Sequence, residues 1–256
     1  MSDREKLGDR MKVYEDVSRL KLPRRIPKII RIDGKAFHTF LKNAIKPYDL
    51  SVMQAMIESA SVLISEIGGS ARCAYIQSDE CSILLNDAIS NDSQPWFDNN
   101  IQKIVSVSSS IFTGAFNNSY ALTRGSLEPA AFDARIFLLP DLIEVNNYFI
   151  WRQQDAIRNS IQQFGRAHFS HSELHGKSGP EIKEMLKGIG LDYDIQAPWK
   201  RRGVVVSKAG VNDDIPLFQE DKVFISSYYT PIVSEDPELP KEENNINDPT
   251  TGQSTD

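Results

Sequence analysis

Lys28-Ile29-Ile30-Arg31-Ile32-Asp33-Gly34-Lys35-Ala36-Phe37-His38-Thr39-Phe40 is the stretch whose reading decides the fold, taken together with Gln77-Ser78-Asp79-Glu80. A β-branched run bounded by Pro27 and Gly34 reads as a buried strand that ends on a carboxylate and then on a glycine. Residues 74–76 and 81–85 are apolar runs around a four-residue polar turn, the pattern of a hairpin. Both acidic points therefore sit at strand ends. With the first strand beside the hairpin, Asp33 and Asp79 converge, and two anions held close raise each other's pKa unless a hard cation joins them. Mg²⁺ suits such a place, because it takes one or two protein carboxylates and fills its remaining octahedral positions with water and phosphate oxygens. The residues read as a metal–nucleotide centre.

Outward from this stretch, strand and helix alternate. Residues 7–20 carry apolar side chains at helical spacing and are closed off by Pro23 and Pro27. Asp49 can cap a helix in which Val52, Met56, Ala60 and Leu63 form one stripe, with Gly68-Gly69 as its stop. After the hairpin, residues 97–118 read as a second long helix and residues 132–140 as a strand ended by its proline. Strand, helix, hairpin, helix, strand is the split βαβ order of a ferredoxin-like sheet, an α+β scaffold that polymerase palms and nucleotide cyclases share. Residues 142–164 read as a further helix, 180–188 as a short one, and 200–206 and 222–229 as strands. The expected layout is a palm-like core over 1–140, a helical and β extension over 141–229 that completes it, and a tail over 230–256.

The chain has 256 residues, 40% of them hydrophobic, enough for a large core. Its amino terminus is charged and no apolar run approaches the roughly 20 residues a membrane span needs, so a cytoplasmic protein is expected. Cys73 and Cys81 flank the hairpin and could face each other across it. Without an export signal or a neighbouring His cluster, both read as structural. The net charge of −6 is not spread evenly, since from Pro231 on seven acids stand against the single base Lys241. That tail, rich in Pro, Asn, Thr and Ser, has the composition of a disordered extension. The body is neutral, so Lys21, Arg24, Arg25, Lys28 and Lys200-Arg201-Arg202 could form a patch for phosphates. Runs this short are more often solvated surface charge, and charge alone favours that reading. Arg152, Asp155 and Arg158 fall on one helical face, as an exposed ion-paired row would. His168, His171 and His175 lie in loop-like sequence where Ser170, Gly176 and Gly179 break any helix that would align them on a metal.

Five motifs in register carry a resemblance: residues 31–40, Lys46-Pro47, Gln77-Ser-Asp-Glu80, Phe132-Asp-Ala-Arg135 and Trp151-Arg-Gln-Gln-Asp155. From about Leu7 to Val206 the sequence resembles the tRNA-His guanylyltransferase family and its guanylyltransferase-like relatives. The resemblance implies a palm-like domain that extends tRNA at its 5′ end, in the 3′-to-5′ direction, with ATP and GTP as substrates and two Mg²⁺ ions per site. It also implies a homotetramer. Asp33 and Asp79 match the family's metal ligands, the Gly34 carbonyl matches its backbone ligand, and Glu80 matches a third acidic position that strand alternation turns away from Asp79. Amides of Lys35, Ala36, Phe37 and His38 could form an anion nest. Lys46 and Ser78 match positions at the phosphates, as His38 does, although His38 could instead be a core histidine. Asp49 matches a position at the base and competes with its role as a helix cap. Arg31, Arg135, Arg152 and Asn159 match contacts to RNA or its 5′ end, with the ion-paired row still open for Arg152.

One departure stands out. Family members that add guanosine to tRNA-His carry His-Ile-Asn-Asn where this chain has Ile157-Arg158-Asn159-Ser160. This looks like the guanylyltransferase-like branch, which implies template-directed repair of 5′-truncated tRNA. Two other classes remain: a cyclase on the same sheet, which has no 5′ end for Lys46 and residues 151–155 to hold, and a non-catalytic RNA-binding module, against which paired carboxylates argue.

Overall fold

The β-branched run forms strand β1 (Lys28–Gly34), an interior strand of the sheet in the computed structural model, which describes residues 6–89, 93–125 and 129–229. The acidic tail lies outside the described residues. Ahead of β1 comes helix α1 (Leu7–Asp16), which buries none of its residues. After β1 a short helix α2 (Phe37–Phe40) leads to α3 (Leu50–Ile67), strands β2 (Ala71–Gln77) and β3 (Glu80–Leu85), helix α4 (Ile101–Arg124) and strand β4 (Phe132–Leu138). Helix α5 (Leu142–Arg166) and three shorter helices follow: α6 (His171–Leu174), α7 (Gly179–Gly188) and α8 (Pro198–Arg202). Strands β5 (Val204–Ser207) and β6 (Gly210–Asn212) and helix α9 (Val223–Tyr229) complete the described chain.

The strands form one sheet in the order β4-β1-β3-β2-β5-β6, each antiparallel to its neighbours. Period-2 alternation divides the side chains between two faces. Ile30, Ile32, Ile76 and Ile83 pack against Met56 and Leu63 of α3 and Phe112 and Phe116 of α4. Ile29, Tyr75, Leu84 and Val205 meet Val145, Phe149 and Ala156 of α5 and Ile225 of α9. Each such fully buried side chain contributes about 1.5–3 kcal/mol of transfer free energy. α3 is long and apolar enough by composition to cross a membrane, but its stripe from Val52 to Ile67 is buried here, as in the core helix of a globular domain. A third cluster joins Ile161 and Phe164 of α5 to Ile182 and Leu186 of α7 and to Tyr193.

Several expectations change. α4 starts at Ile101 rather than 97, because Phe97, Asp98 and Asn99 have positive φ and Asn100 caps the helix through Lys103 N. Residues 200–202 belong to α8 rather than to a strand, started by Pro198 and ended by Gly203. Residues 223–229 are helical, with the amides of Val223 and Phe224 donating to the Asp221 carboxylate, a start signal that the aromatic run obscured. Cys73 and Cys81 are free and buried on opposite faces of the sheet, so they do not face each other. The amino-terminal basic patch is not a patch. Lys28 is 1% exposed, with Nζ donating to Asp87 Oδ1 and the Ile26 carbonyl, and Lys21 and Arg24 both pair with Asp98.

Candidate active site

The hairpin turn is tighter than the sequence suggested. Gln77 pairs with Glu80, leaving only Ser78 and Asp79 in the turn, and Ser78 takes a left-handed φ of 51°. The Gly34 amide donates to the Asp79 carbonyl at 3.1 Å, which fixes the turn against the end of β1. Asp33 and Asp79 line one cleft of about 610 Å³. Burial raises the Asp79 carboxyl above its ordinary value. Hydrogen bonds from its own amide and from the Ser78 hydroxyl (3.0 Å) pull it back, and the Asp33 charge pushes it further up.

Glu80, not Asp79, is the register partner of Asp33. Its carboxylate is enclosed by guanidinium groups: Arg152 Nε donates to Oε1 at 2.7 Å, Arg152 Nη2 to Oε2 at 2.6 Å, and Arg31 Nη2 reaches Oε2 at 2.9 Å. Burial raises the Glu80 carboxyl, and the two arginines pull it down. The same Arg31 Nη2 donates to Asp33 Oδ2 at 2.9 Å, while the buried Arg31 Nε has no hydrogen-bond partner. Arg31, expected at the RNA, is thus the cation that joins Asp33 to Glu80. Arg152, also expected at the RNA, is 4% exposed and further tied to Asp155 at 3.0 Å. The ion-paired row is what the structure shows, because Arg158 Nη2 and Asn159 Nδ2 also donate to Asp155, at 2.9 and 3.3 Å.

Most of the other expected residues gather at this cleft. His38, Lys46, Asp49, Ser78 and Asn159 line it. Asp49 caps α3, with Oδ1 accepting from Ser51 N and Oδ2 from Ile45 N, both at 2.9 Å. Lys46 Nζ donates to the Leu41 carbonyl at 2.9 Å, and His38 Nε2 lies 3.1 Å from Thr39 Oγ1. The expected nest is narrower than residues 35–38. The Lys35 amide donates to the Ala131 carbonyl at 2.8 Å, Ala36 is left-handed at φ 54°, and the Phe37 ring is buried among Phe40, Phe116 and Phe132. Arg135 stands outside the cleft on β4, paired with Asp133 at 2.9 Å. Sequence reasoning missed Tyr48, Arg166 and Trp199 on the cleft wall. The signal for the two aromatics was their position, one directly before the Asp49 cap and the other directly before the basic run Lys200-Arg201-Arg202.

Among the described residues, no three His, Cys, Asp or Glu side chains gather as a metal site. Two carboxylates, Asp33 and Asp79, line the cleft without being enclosed as Glu80 is, with Arg31 holding one Asp33 oxygen. These oxygen donors fit Mg²⁺, which takes its other ligands from water and phosphate, and a cation there would favour the charged carboxylate that burial disfavours at Asp79.

Comparison with known proteins agrees with the fold. The family model for tRNAHis guanylyltransferase (Thg1) matches residues 8–140. A bacterial tRNA(His) guanylyltransferase (Thg1)-like protein solved in complex with ATP is 38% identical, with a TM-score of 0.83, covering 87% of this chain and 98% of that one. A bacterial protein of the same description, in complex with GTP, is 36% identical with a TM-score of 0.76 and coverage of 88% and 99%. The tRNA(His) guanylyltransferase of Schizosaccharomyces pombe is 29% identical over 231 residues, 84% of each chain. These matches define the class of the chain as a nucleotidyltransferase. It belongs to the tRNAHis guanylyltransferase (Thg1) family.

Proposed function

We propose that the chain adds nucleotides in the 3′-to-5′ direction to the 5′ end of tRNA, on a ferredoxin-like sheet of the polymerase-palm type, and repairs 5′-truncated tRNA against a template. The observation that carries this reading is the placement of Asp33 and Asp79 in one cleft beside Lys46, in a chain 38% and 36% identical to proteins solved with ATP and with GTP. Ile157 and Ser160, in place of the histidine and second asparagine of the guanosine-adding motif, support the repair branch.

In the activating step, an oxygen of the tRNA 5′-monophosphate bonds to the α-phosphorus of ATP and pyrophosphate leaves. In the second step, the 3′-hydroxyl of an incoming nucleoside triphosphate bonds to the activated 5′ phosphorus, loses its proton, and AMP leaves. Asp33, Asp79 and the Gly34 carbonyl would hold Mg²⁺, two ions per site, which when bound neutralises phosphate oxygens and aligns attacking and leaving groups. Ser78 orients Asp79, and the Arg31–Glu80–Arg152 bridge fixes the hairpin that carries it. Lys46 is placed to meet a phosphate once it leaves the Leu41 carbonyl. Asn159, on the cleft wall in α5, would meet the RNA end.

Incubation of the full chain with Mg²⁺, ATP, all four nucleoside triphosphates and a tRNA lacking its first nucleotide tests the reading. Extension at the 5′ end supports it. Cyclic nucleotide from ATP alone, or binding without product, overturns it. The same reading expects a cytoplasmic homotetramer, and light scattering at close to four times 28.9 kDa tests the assembly.

A further inference from the structure

Arg31 serves two carboxylates with one nitrogen. Its Nη2 donates to Asp33 Oδ2 and reaches Glu80 Oε2, both at 2.9 Å. The backbone dictates this sharing. Arg31 and Asp33 alternate onto one face of β1, and Glu80 is the register partner of Asp33 on β3.

The two acids are not equivalent. Glu80 accepts from Arg152 Nε at 2.7 Å and Nη2 at 2.6 Å, so it keeps a two-pronged partner whatever Arg31 does. Asp33 has Arg31 as its one ion-pair partner among the described residues. The Asp33 side chain is 30% exposed and that of Glu80 only 7%, so Asp33 is the acid that an arriving ion can reach. Arg31 itself is compromised. A guanidinium engages a carboxylate best as a fork, with two parallel N–H donors on one acid. Here a single nitrogen is divided between two acids, and the buried Nε donates to nothing. Buried donors are normally paired, and one left unmade is a cost that another arrangement would remove.

We propose that Arg31 is a place-holding cation that sets the metal affinity of the carboxylate centre. Arg31 and a divalent ion contend for the same Asp33 oxygen. When Mg²⁺ takes that oxygen, Arg31 withdraws onto Glu80 and its fork is free to turn there. Asp33 is thus never left as a bare anion beside Asp79 and Glu80. The competition keeps the ion weakly held by the protein alone, and the phosphate oxygens of a nucleotide supply the rest of the hold. This rests on the proposed reading of Asp33 and Asp79 as metal ligands.

The test titrates Mn²⁺, as a spectroscopic probe of the Mg²⁺ site, into the full chain without nucleotide and reads the free ion by electron paramagnetic resonance. Arg31→Met removes the competing charge at similar length and is expected to tighten Mn²⁺ by about tenfold, since a unit positive charge next to the ion is lost. Arg31→Lys keeps a cation beside Asp33 and should stay within about threefold of wild type. Arg135→Met removes equal charge from the register position beside Arg31 on β4, where the arginine is exposed and paired with Asp133, and should also stay within about threefold. Unchanged or weaker binding in Arg31→Met overturns the proposal, and so does equal tightening in Arg135→Met. Weaker binding would make Arg31 an orienting partner of Asp33 rather than a competitor. A second readout leaves Arg31 in place. The Nε–H resonance of Arg31 in ¹⁵N-labelled protein, identified by its loss in Arg31→Lys, should shift as Mg²⁺ is added to wild type and stay fixed in Asp33→Ala. A resonance that does not move in wild type overturns the proposal even where Arg31→Met fails to fold. Equal Mn²⁺ binding by wild type and Asp33→Ala would remove the metal centre and this role of Arg31 together. Binding that is lost with Asp33 but indifferent to Arg31 would sink the place-holding role alone.

Discussion

Replacing Arg152 with alanine removes the guanidinium that makes two hydrogen bonds to Glu80, at 2.7 and 2.6 Å, and one to Asp155 at 3.0 Å. The side chains of Arg152 and Glu80 are only 5% and 7% exposed, so water cannot replace what is lost. Removing one partner of a buried ion pair costs about 3–5 kcal/mol, since a charge is left uncompensated. Arg31 still reaches one Glu80 oxygen at 2.9 Å, which places the expected loss near the lower bound, about 3 kcal/mol. With a urea slope of about 3 kcal/mol/M, the unfolding midpoint should fall by about 1 M. In Arg152→Met/Glu80→Gln the stranded charge is gone, and the double variant should unfold closer to wild type than Arg152→Ala does. Urea titration by circular dichroism reads both. An Arg152→Ala midpoint within about 0.3 M of wild type, combined with a loss of tRNA binding, would refute the clamp and return Arg152 to the RNA.

Two further outcomes are expected. Gly34→Ala would place a Cβ 2.6 Å from Phe37 Cγ, so the aromatic cluster must shift and stability should drop by about 1–3 kcal/mol; an unchanged thermal midpoint would contradict this close approach. Burial pushes the Cys73 thiol up to about 12 and raises Cys81 as well, so neither should react with a thiol reagent in the native protein at pH 8. Because folding raises the Cys73 pKa, its contribution to stability is complete below the ordinary thiol value of 9.0 and is lost as pH rises from there toward about 12. Rapid labelling of either cysteine at pH 8 without denaturant would be the contrary result.

Strand β1 and the hairpin were legible because β-branched runs bounded by Pro27 and Gly34, and by a polar turn, admit few other readings. The two strand-end carboxylates followed from the same pattern. What sequence could not supply was which charge pairs with which. Lys28 looked like surface charge, but its strand lies inside the sheet, between β4 and β3, and Asp87 meets it there, 59 residues away. Arg31 and Arg152 looked like contacts for RNA because a cation shows its charge in sequence and not its partner. Both close on Glu80, from β1 and α5. Residues 200–202 and 223–229 were misread because β-branched and aromatic content outweighed the start signals at Pro198 and Asp221. Tyr48, Arg166 and Trp199 come together only when the end of α5 packs beside α8, a contact with no local pattern.

The account rests on Asp33 and Asp79 acting through one metal-bound triphosphate, and the sharpest test separates the two steps of the reaction. With Asp33→Ala and Asp79→Ala, each shown by circular dichroism to keep its fold, activation of a 5′-monophosphate tRNA and transfer onto a tRNA already bearing a 5′-triphosphate are measured side by side. Loss of both steps in both variants is the expected result. Transfer that survives in either variant would show that the two carboxylates do not share the work assigned to them.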